Sequence, residues 1–289
     1  MATKRTILIQ LDTDPQPSVF DRVVAVDAGV DELFAYSGVT ESNVEPLVHG
    51  AMFTRGGSDL KHTALFIGGS NVRASEAILR RIEKTFFGPV RVSVMLDPNG
   101  ANTTAAAAVL AAGQHLDFKA TTALVLGGTG PVGQRAARLL ARQGATVRLA
   151  SRSGDRATEA AVAVNEAVAG QRVTGVEASN PTTAAKALDG AHLVVAAGAA
   201  GSRLRSSEVI AKAGGVLKVA IDLNAVPPSG IEPIEAADKA KEHDGLICYG
   251  AIGVGGLKMK IHKAAIAALF EANDRVLDAE TIYAIGQRL

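Results

Sequence analysis

Ala123-Leu124-Val125-Leu126, followed by Gly127-Gly128-Thr129-Gly130-Pro131-Val132-Gly133 and then by Gln134–Gln143, decides the fold of this chain. The four apolar residues read as a buried strand. The glycines read as a turn, and Gln134–Gln143 as an amphipathic helix stopped by Gly144. Gly128, Gly130 and Gly133 match the pattern G-x-G-x-x-G. In a chain with 30 glycines the bare pattern is weak; the strand before it and the helix after it make it specific for a dinucleotide site. Gly128 permits the tight turn, Gly130 lets the backbone approach a diphosphate, and Gly133 lets the helix pack on the strand. The anion would rest on the helix N-terminus. The plain alternative is a tight strand–helix turn without a ligand.

Working outward, strand and helix patterns alternate. Downstream come strands at Thr146–Ala150, Val173–Glu177, Leu193–Ala196, Gly215–Asp222 and Leu246–Tyr249, with a helix at Ser153–Ala169. Repeated βα units of this length predict a doubly wound parallel sheet. Upstream, strands are expected at Thr6–Leu11, Glu32–Tyr36, Thr63–Gly68 and Val90–Leu96. Helices are expected at Ser18–Ala28 (capped by Ser18), Glu41–Gly50 (capped near Ser42 or Asn43), Asn71–Phe86 and Ala105–Ala112. The fold class is therefore α/β. An N-terminal α/β domain covers 1–104 and is completed by 264–289; a Rossmann domain covers 105–263. The tail Met259–Leu289 is expected to be helical and to run back onto the first domain.

Composition narrows the function classes. Thirty Lys+Arg against 29 Asp+Glu leave a formal charge of +1, without the basic surplus of a nucleic-acid protein. With 47% hydrophobic and 20% charged residues, the chain can bury a large core. Its one cysteine, Cys248, excludes an internal disulfide and a cysteine zinc site, and suits a reducing, cytoplasmic compartment. No apolar run approaches the roughly 20 residues of a membrane helix. The histidines have no metal-ligand spacing, so no metal is expected.

Ser151-Arg152-Ser153 ends the strand after the glycine turn, where an NAD site places Asp or Glu for the ribose 2′-hydroxyl. Two hydroxyls around Arg152, with Arg156 beyond, suit a 2′-phosphate instead and favour NADP. A plain helix cap with solvated arginines is the alternative. Three further segments fall at strand ends. They are Ala196–Gly201 with Ala197 and Gly198, Asp222–Gly230 with Asp222 and Asn224, and Gly250–Lys258 with Gly253. Each is either a turn or one wall of a cleft. Lys258 and Lys260 follow the last glycines as a helix begins, and position alone leaves them as either site or surface residues.

Beyond these, the chain carries Asp12-Thr-Asp14, Pro17-Ser-Val-Phe-Asp21, Thr54-Arg-Gly-Gly57, Phe86-Phe-Gly-Pro89 and Met95-Leu-Asp-Pro-Asn-Gly-Ala-Asn-Thr-Thr104. It also carries Asp222-Leu-Asn-Ala-Val-Pro-Pro228, Gly253-Val-Gly-Gly-Leu-Lys-Met-Lys-Ile-His262 and Asp278-Ala-Glu-Thr-Ile-Tyr283. With the glycine turn, these stretches resemble, end to end, the NADP-dependent methylene-tetrahydromethanopterin dehydrogenases of methylotrophic bacteria.

The resemblance implies hydride transfer from methylene-tetrahydromethanopterin to NADP+ by a cytoplasmic homo-oligomer, a trimer or hexamer. The methenyl product delocalises its charge over two nitrogens, so positioning and water exclusion are the protein's main tasks. The resemblance puts Lys258 and Thr104 beside the reacting pterin. Asp21, Asn102 and Thr103 fall on the substrate side. Gly128, Thr129, Gly130, Pro131, Val132, Gly133, Ser151, Arg152, Ser153, Arg156, Ala197, Gly198, Asp222, Asn224 and Gly253 fall on the cofactor side. The competing readings are the same reaction mainly on methylene-tetrahydrofolate, a shikimate-type dehydrogenase, and a non-catalytic NADP(H) sensor.

Overall fold

A computed structural model describes residues 4–198, 215–224 and 229–289. Contacts group the chain into two units, Met1–Thr103 with Met259–Leu289, and Thr104–Lys258.

The first unit opens with β1 (Ile7–Leu11), α1 (Val19–Asp27), β2 (Glu32–Tyr36), α2 (Glu45–Phe53), β3 (Thr63–Ile67), α3 (Val72–Thr85) and β4 (Ser93–Leu96). Every residue of β3 and β4 is buried, as expected of parallel strands covered on both faces. α3 has polar and charged residues on one face and buries Ile78 and Ile82 on the other; Asn71 caps it by accepting from the Ala74 N–H at 3.1 Å. Ser18 caps α1 in the same way, accepting from the Asp21 N–H. Leu11, Val48, Met52, Leu65, Ile67 and Ile82 form the core of the unit.

α2 begins later than its pattern suggests. Asn43 spends its side chain on the preceding turn, accepting from the Thr40 N–H and donating to the Gly38 carbonyl. Pro46 then sets the first helical turn. α4 (Ala101–Gly113) begins earlier than expected, and the chain passes from the first unit to the second inside it.

The tail is not helical throughout. α8 (Ala251–Ala268) and α9 (Ala279–Gly286) flank a two-residue strand, β12 (Val276–Leu277), which pairs in parallel with β4 through Val276 and Val94. Ser93 ties the junction by donating to the Ala272 carbonyl and accepting from the Arg275 N–H. The strand order of this sheet is β2-β1-β3-β4-β12, all parallel. It is the flavodoxin-like order with its last strand supplied by the C-terminus. Two strand residues are too few to show an alternation, so β12 has no signature in the sequence.

The second unit contains β5 (Thr122–Leu126), α5 (Pro131–Arg142), β6 (Thr146–Ser151), α6 (Gly154–Val168), β7 (Val173–Glu177), α7 (Pro181–Leu188) and β8 (Leu193–Ala196). β9 (Val219–Asp222), β10 (Lys241–His243) and β11 (Leu246–Tyr249) follow. The sheet runs β7-β6-β5-β8-β9-β11-β10, parallel except for β10. Numbered by appearance this is 3-2-1-4-5-7-6; its six parallel strands, without the antiparallel edge strand β10, follow the Rossmann order 3-2-1-4-5-6, with the switch point between β5 and β8. Leu124, Leu126, Leu188, Val194, Ala220 and Ile231 lie in its core. The strand expected from Gly215 begins only at Val219.

Candidate active site

The glycine turn sits at that switch point. The tight-turn residue is Gly127, at φ 66°, rather than Gly128. A Cβ on Gly127 would stand 2.6 Å from the Gly198 Cα, so the end of β8 lies directly against the turn. Gly128 is excluded from growing by β6, because its Cβ would stand 2.6 Å from Leu149 Cγ. Gly133 has the expected packing role: its Cβ would stand 2.7 Å from the Gly127 carbonyl oxygen. Gly130 differs from all three. A Cβ there would meet only the Gly127 and Ala197 oxygens, at 3.3 and 3.7 Å. Gly130 is thus less crowded by the protein than the other three, with one tight approach to the Gly127 oxygen. The turn fits the group the pattern implies.

α5 starts at Pro131, with Gly130 as its cap and Gln134 N–H making the first helical bond back to Gly130 O at 2.9 Å. The N–H groups of Val132 and Gly133 therefore lie in the first turn, which helix geometry leaves without intrahelical acceptors. Gln134 holds the loop in shape by donating from Nε2 to the Thr129 carbonyl at 2.8 Å.

At the end of β6, Ser151 Oγ accepts from the Ser153 N–H at 3.3 Å, and Ser153 Oγ caps α6 by accepting from the Arg156 N–H at 3.4 Å. The backbone geometry of a helix cap is therefore present. Arg152 and Arg156 are both exposed, and neither guanidinium forms an ion pair among the described residues. Two cations without an ion pair among the described residues therefore stand at the end of β6, the strand next to the glycine turn.

The other strand ends are built for structure. Asp222, 1% exposed, accepts from the Asn224 N–H with Oδ1 and from the Gly230 and Ile231 N–H groups with Oδ2. Burial pushes its carboxyl up from the usual range, and these three donors oppose that. Asp222 is thus the staple of the segment after β9, and Asn224 is buried beside it. Residues 199–201 and 225–228, which the strand-end motifs include, lie outside the described residues.

The glycines after β11 are not a loop. α8 starts at Ala251 and contains Gly253, Gly255 and Gly256. A Cβ on Gly253 would stand 1.8 Å from the Asp238 carbonyl oxygen, so this glycine serves helix packing. Lys258 and Lys260 lie inside α8 rather than at its start.

Asn102 and Thr103 were expected on the substrate side, yet both are buried in the first turn of α4. Asp97 accepts from both of their N–H groups through Oδ1 and from Thr103 Oγ1 through Oδ2 at 2.6 Å, while Asn102 Nδ2 donates to the Leu96 carbonyl at 2.5 Å. Their side chains hold the end of β4 to the start of α4. Thr104, one residue on, is half-buried. Thr104 and Lys258 are the first and last residues of the second unit.

In the first unit the switch point lies between β1 and β3. Asp12, fully buried, accepts from the Asp14 and Ser18 N–H groups there. Asp21 lies close by: a Cβ on Gly68 would stand 3.1 Å from Asp12 Oδ2 and 3.7 Å from Asp21 Oδ2. Gly127, Asp97 and Asp12 are the organising residues that the sequence patterns do not single out. The Gly127-Gly128 pair, the Asp12-Thr-Asp14 run and the Met95-Leu-Asp-Pro run carry their traces.

A Rossmann sheet with a glycine turn at its switch point, joined to a second doubly wound unit, is the architecture of the two-unit Rossmann-type proteins. Residues 19–99 match the family described as methylene-tetrahydromethanopterin dehydrogenase, N-terminal. The chain is 45% identical over 289 residues, 99% of each protein, to the bifunctional protein MdtA of Methylorubrum extorquens. It is 31% identical, over 98% of each protein, to the NAD(P)-dependent methylenetetrahydromethanopterin dehydrogenase of the same organism. Among solved structures, 5-ketofructose reductase of a Gluconobacter strain superposes with TM-score 0.55 at 14% identity, covering 99% of both chains, and shares the fold. The chain belongs to the methylene-tetrahydromethanopterin dehydrogenase family.

No described helix is long and apolar enough to cross a membrane. Among the described residues, no group of three or more His, Cys, Asp or Glu side chains is arranged to hold a metal ion.

Proposed function

We propose that this chain oxidises methylene-tetrahydromethanopterin to its methenyl form, with NADP+ as hydride acceptor. The observation that carries the reading is similarity along the whole chain to a relative named for that activity. When bound, NADP+ supplies the electrophilic ring carbon that takes the hydride. The remaining work falls to the chain's own residues. Gly128, Gly130 and the N–H groups of Val132 and Gly133 hold the diphosphate, with Thr129, Pro131, Ala197 and Gly198 forming the walls. Ser151, Arg152, Ser153 and Arg156 receive the 2′-phosphate.

Lys258 and Thr104 orient the pterin. A charged lysine beside a developing cation would oppose the reaction, so Lys258 serves by hydrogen-bonding polar pterin atoms. Asp21 belongs to the substrate side. Asn102 and Thr103 act through the placement of Thr104, and Asp222, Asn224 and Gly253 through the placement of their segments. The family resemblance supports a cytoplasmic homo-oligomer.

Initial rates with methylene-tetrahydromethanopterin or methylene-tetrahydrofolate, each with NADP+ or NAD+, test the proposal. The expected result is highest kcat/KM for the methanopterin substrate with NADP+. Preference for the folate substrate would replace the substrate assignment. Tight NADP+ binding without turnover on either pterin would make the protein a sensor.

A further inference from the structure

The first unit contains a cavity of about 410 Å³ between α2 and the edge of its sheet. That volume is in the range of small-molecule sites. One wall is the strand face that carries Ile7 and Ile9 of β1 and Phe34 and Tyr36 of β2. The other is the face of α2 that carries Leu47, Gly50 and Ala51. Phe34 and Tyr36 are 46% and 42% exposed, so two aromatic side chains stand open along the edge strand.

Three observations point to a ligand. First, Gly50 lies inside α2, where glycine is disfavoured, and it has no backbone reason to be there. Its φ is not positive, and a Cβ would meet nothing within 4 Å. What the glycine provides is the slot itself. Second, Thr63 lines the cavity while 3% exposed, and its Oγ1 has no hydrogen-bond partner. Third, Arg55 is the one charged residue lining the cavity among the described residues, held there by donating to the His62 carbonyl at 2.6 Å. The nearby Asp59 carboxylate is already paired with Lys4 at 2.8 Å.

We infer that this slot is a binding site for a small aromatic anion, its ring between the β2 aromatics and Gly50 and its charge on Arg55. Thr63 Oγ1 serves a polar atom on the buried side. This site is separate from the glycine turn and does not depend on the proposed reaction.

Fluorescence titration with 8-anilinonaphthalene-1-sulfonate and with its uncharged analogue N-phenyl-1-naphthylamine tests the inference on the full chain. The expected result is one sulfonate site per chain that saturating NADP+ does not displace. Gly50→Leu should weaken both probes about tenfold or more by filling the slot. Arg55→Gln should weaken the sulfonate about tenfold and the neutral probe less than about twofold. Both variants should keep the wild-type circular dichroism spectrum and NADP+ Kd; Gly50→Ala provides the same test with a smaller plug. Displacement by NADP+, or undiminished binding to Gly50→Leu, would overturn the site. Equal loss of both probes in Arg55→Gln would overturn the anion assignment. A change in oligomeric mass of Gly50→Leu by light scattering would make the slot a contact between copies and overturn the small-molecule reading.

Discussion

Gly253→Ala should destabilise the protein although it replaces glycine with the best helix former inside an 18-residue helix. Propensity alone predicts a gain of about 1 kcal/mol. The structure reverses the sign. The new Cβ would lie 1.8 Å from the Asp238 oxygen and 2.7 Å from its carbonyl carbon, where 3.4 Å begins ordinary contact. Backbone must therefore retreat by roughly 1.5 Å in a tightly packed region. That strains the bonds docking this segment to the start of α8: Gly250 N–H to Asp238 O and Ile252 N–H to Ala236 O, both 2.8 Å, and Gly253 N–H to Ala236 O at 3.2 Å.

Overpacking costs about 1–3 kcal/mol, and each weakened hydrogen bond about 0.5–1.5 kcal/mol. After the propensity gain, a net loss of about 2–4 kcal/mol remains, lowering Tm by roughly 5–10 °C in a unit of this size. Circular dichroism melts and urea titrations measure it. Gly255→Ala and Gly256→Ala are controls on the same helix, since a Cβ at either meets nothing within 4 Å. They should stabilise by up to about 1 kcal/mol. If Gly253→Ala melts with these controls, the packing argument fails. Unchanged Tm with weakened NADP+ binding would return Gly253 to the cofactor.

Arg152→Ala should raise KM for NADP+ about tenfold or more and leave NAD+ unaffected, because one charge-assisted contact to the 2′-phosphate is lost; equal losses for the two cofactors would refute the assignment. Burial pushes the Asp238 carboxyl up, but hydrogen bonds from the Glu235 N–H, His243 and Lys241 outweigh it and hold the group below the usual 3.8. Its contribution is therefore complete above 3.8 and lost as pH falls through the lower folded value. Asp238→Asn should cost about 1–3 kcal/mol at pH 7 in urea titrations, and the gap to wild type should shrink as pH falls below about 4; a constant gap would contradict this. Burial pushes the Cys248 thiol up to about 12, so native protein at pH 8 should resist iodoacetamide until unfolded. Labelling at the denatured rate would show that the strand opens.

The local signals that proved readable are those in which side-chain chemistry acts within a few residues. Ser18, Asn71 and Ser153 each cap the helix that follows them, and each is legible because an N-cap bonds a backbone N–H two or three positions on. The glycine turn is legible for the same reason: strand, turn and helix are contiguous. What the sequence does not show is the partner each site candidate has within the fold. Gly253 packs against Asp238, Asp222 accepts from the Gly230 and Ile231 N–H groups, and Asp97 accepts from Asn102 and Thr103.

The sequence by itself determined the α/β class, the parallel sheet of the second unit, the place of the dinucleotide turn and the family. Hydrophobic period, glycine spacing and charge are properties of neighbouring residues, and a family's motifs are local strings. Only the tertiary structure decided that Val276–Leu277 completes the first sheet, that Gly127 rather than Gly128 makes the turn, and that a helix-interior glycine at position 50 opens a slot beneath the edge strand. Each of these is set by what a segment packs against. A two-residue strand owes its existence to β4, and a missing Cβ has meaning only through the atoms, or the space, that stand where it would be.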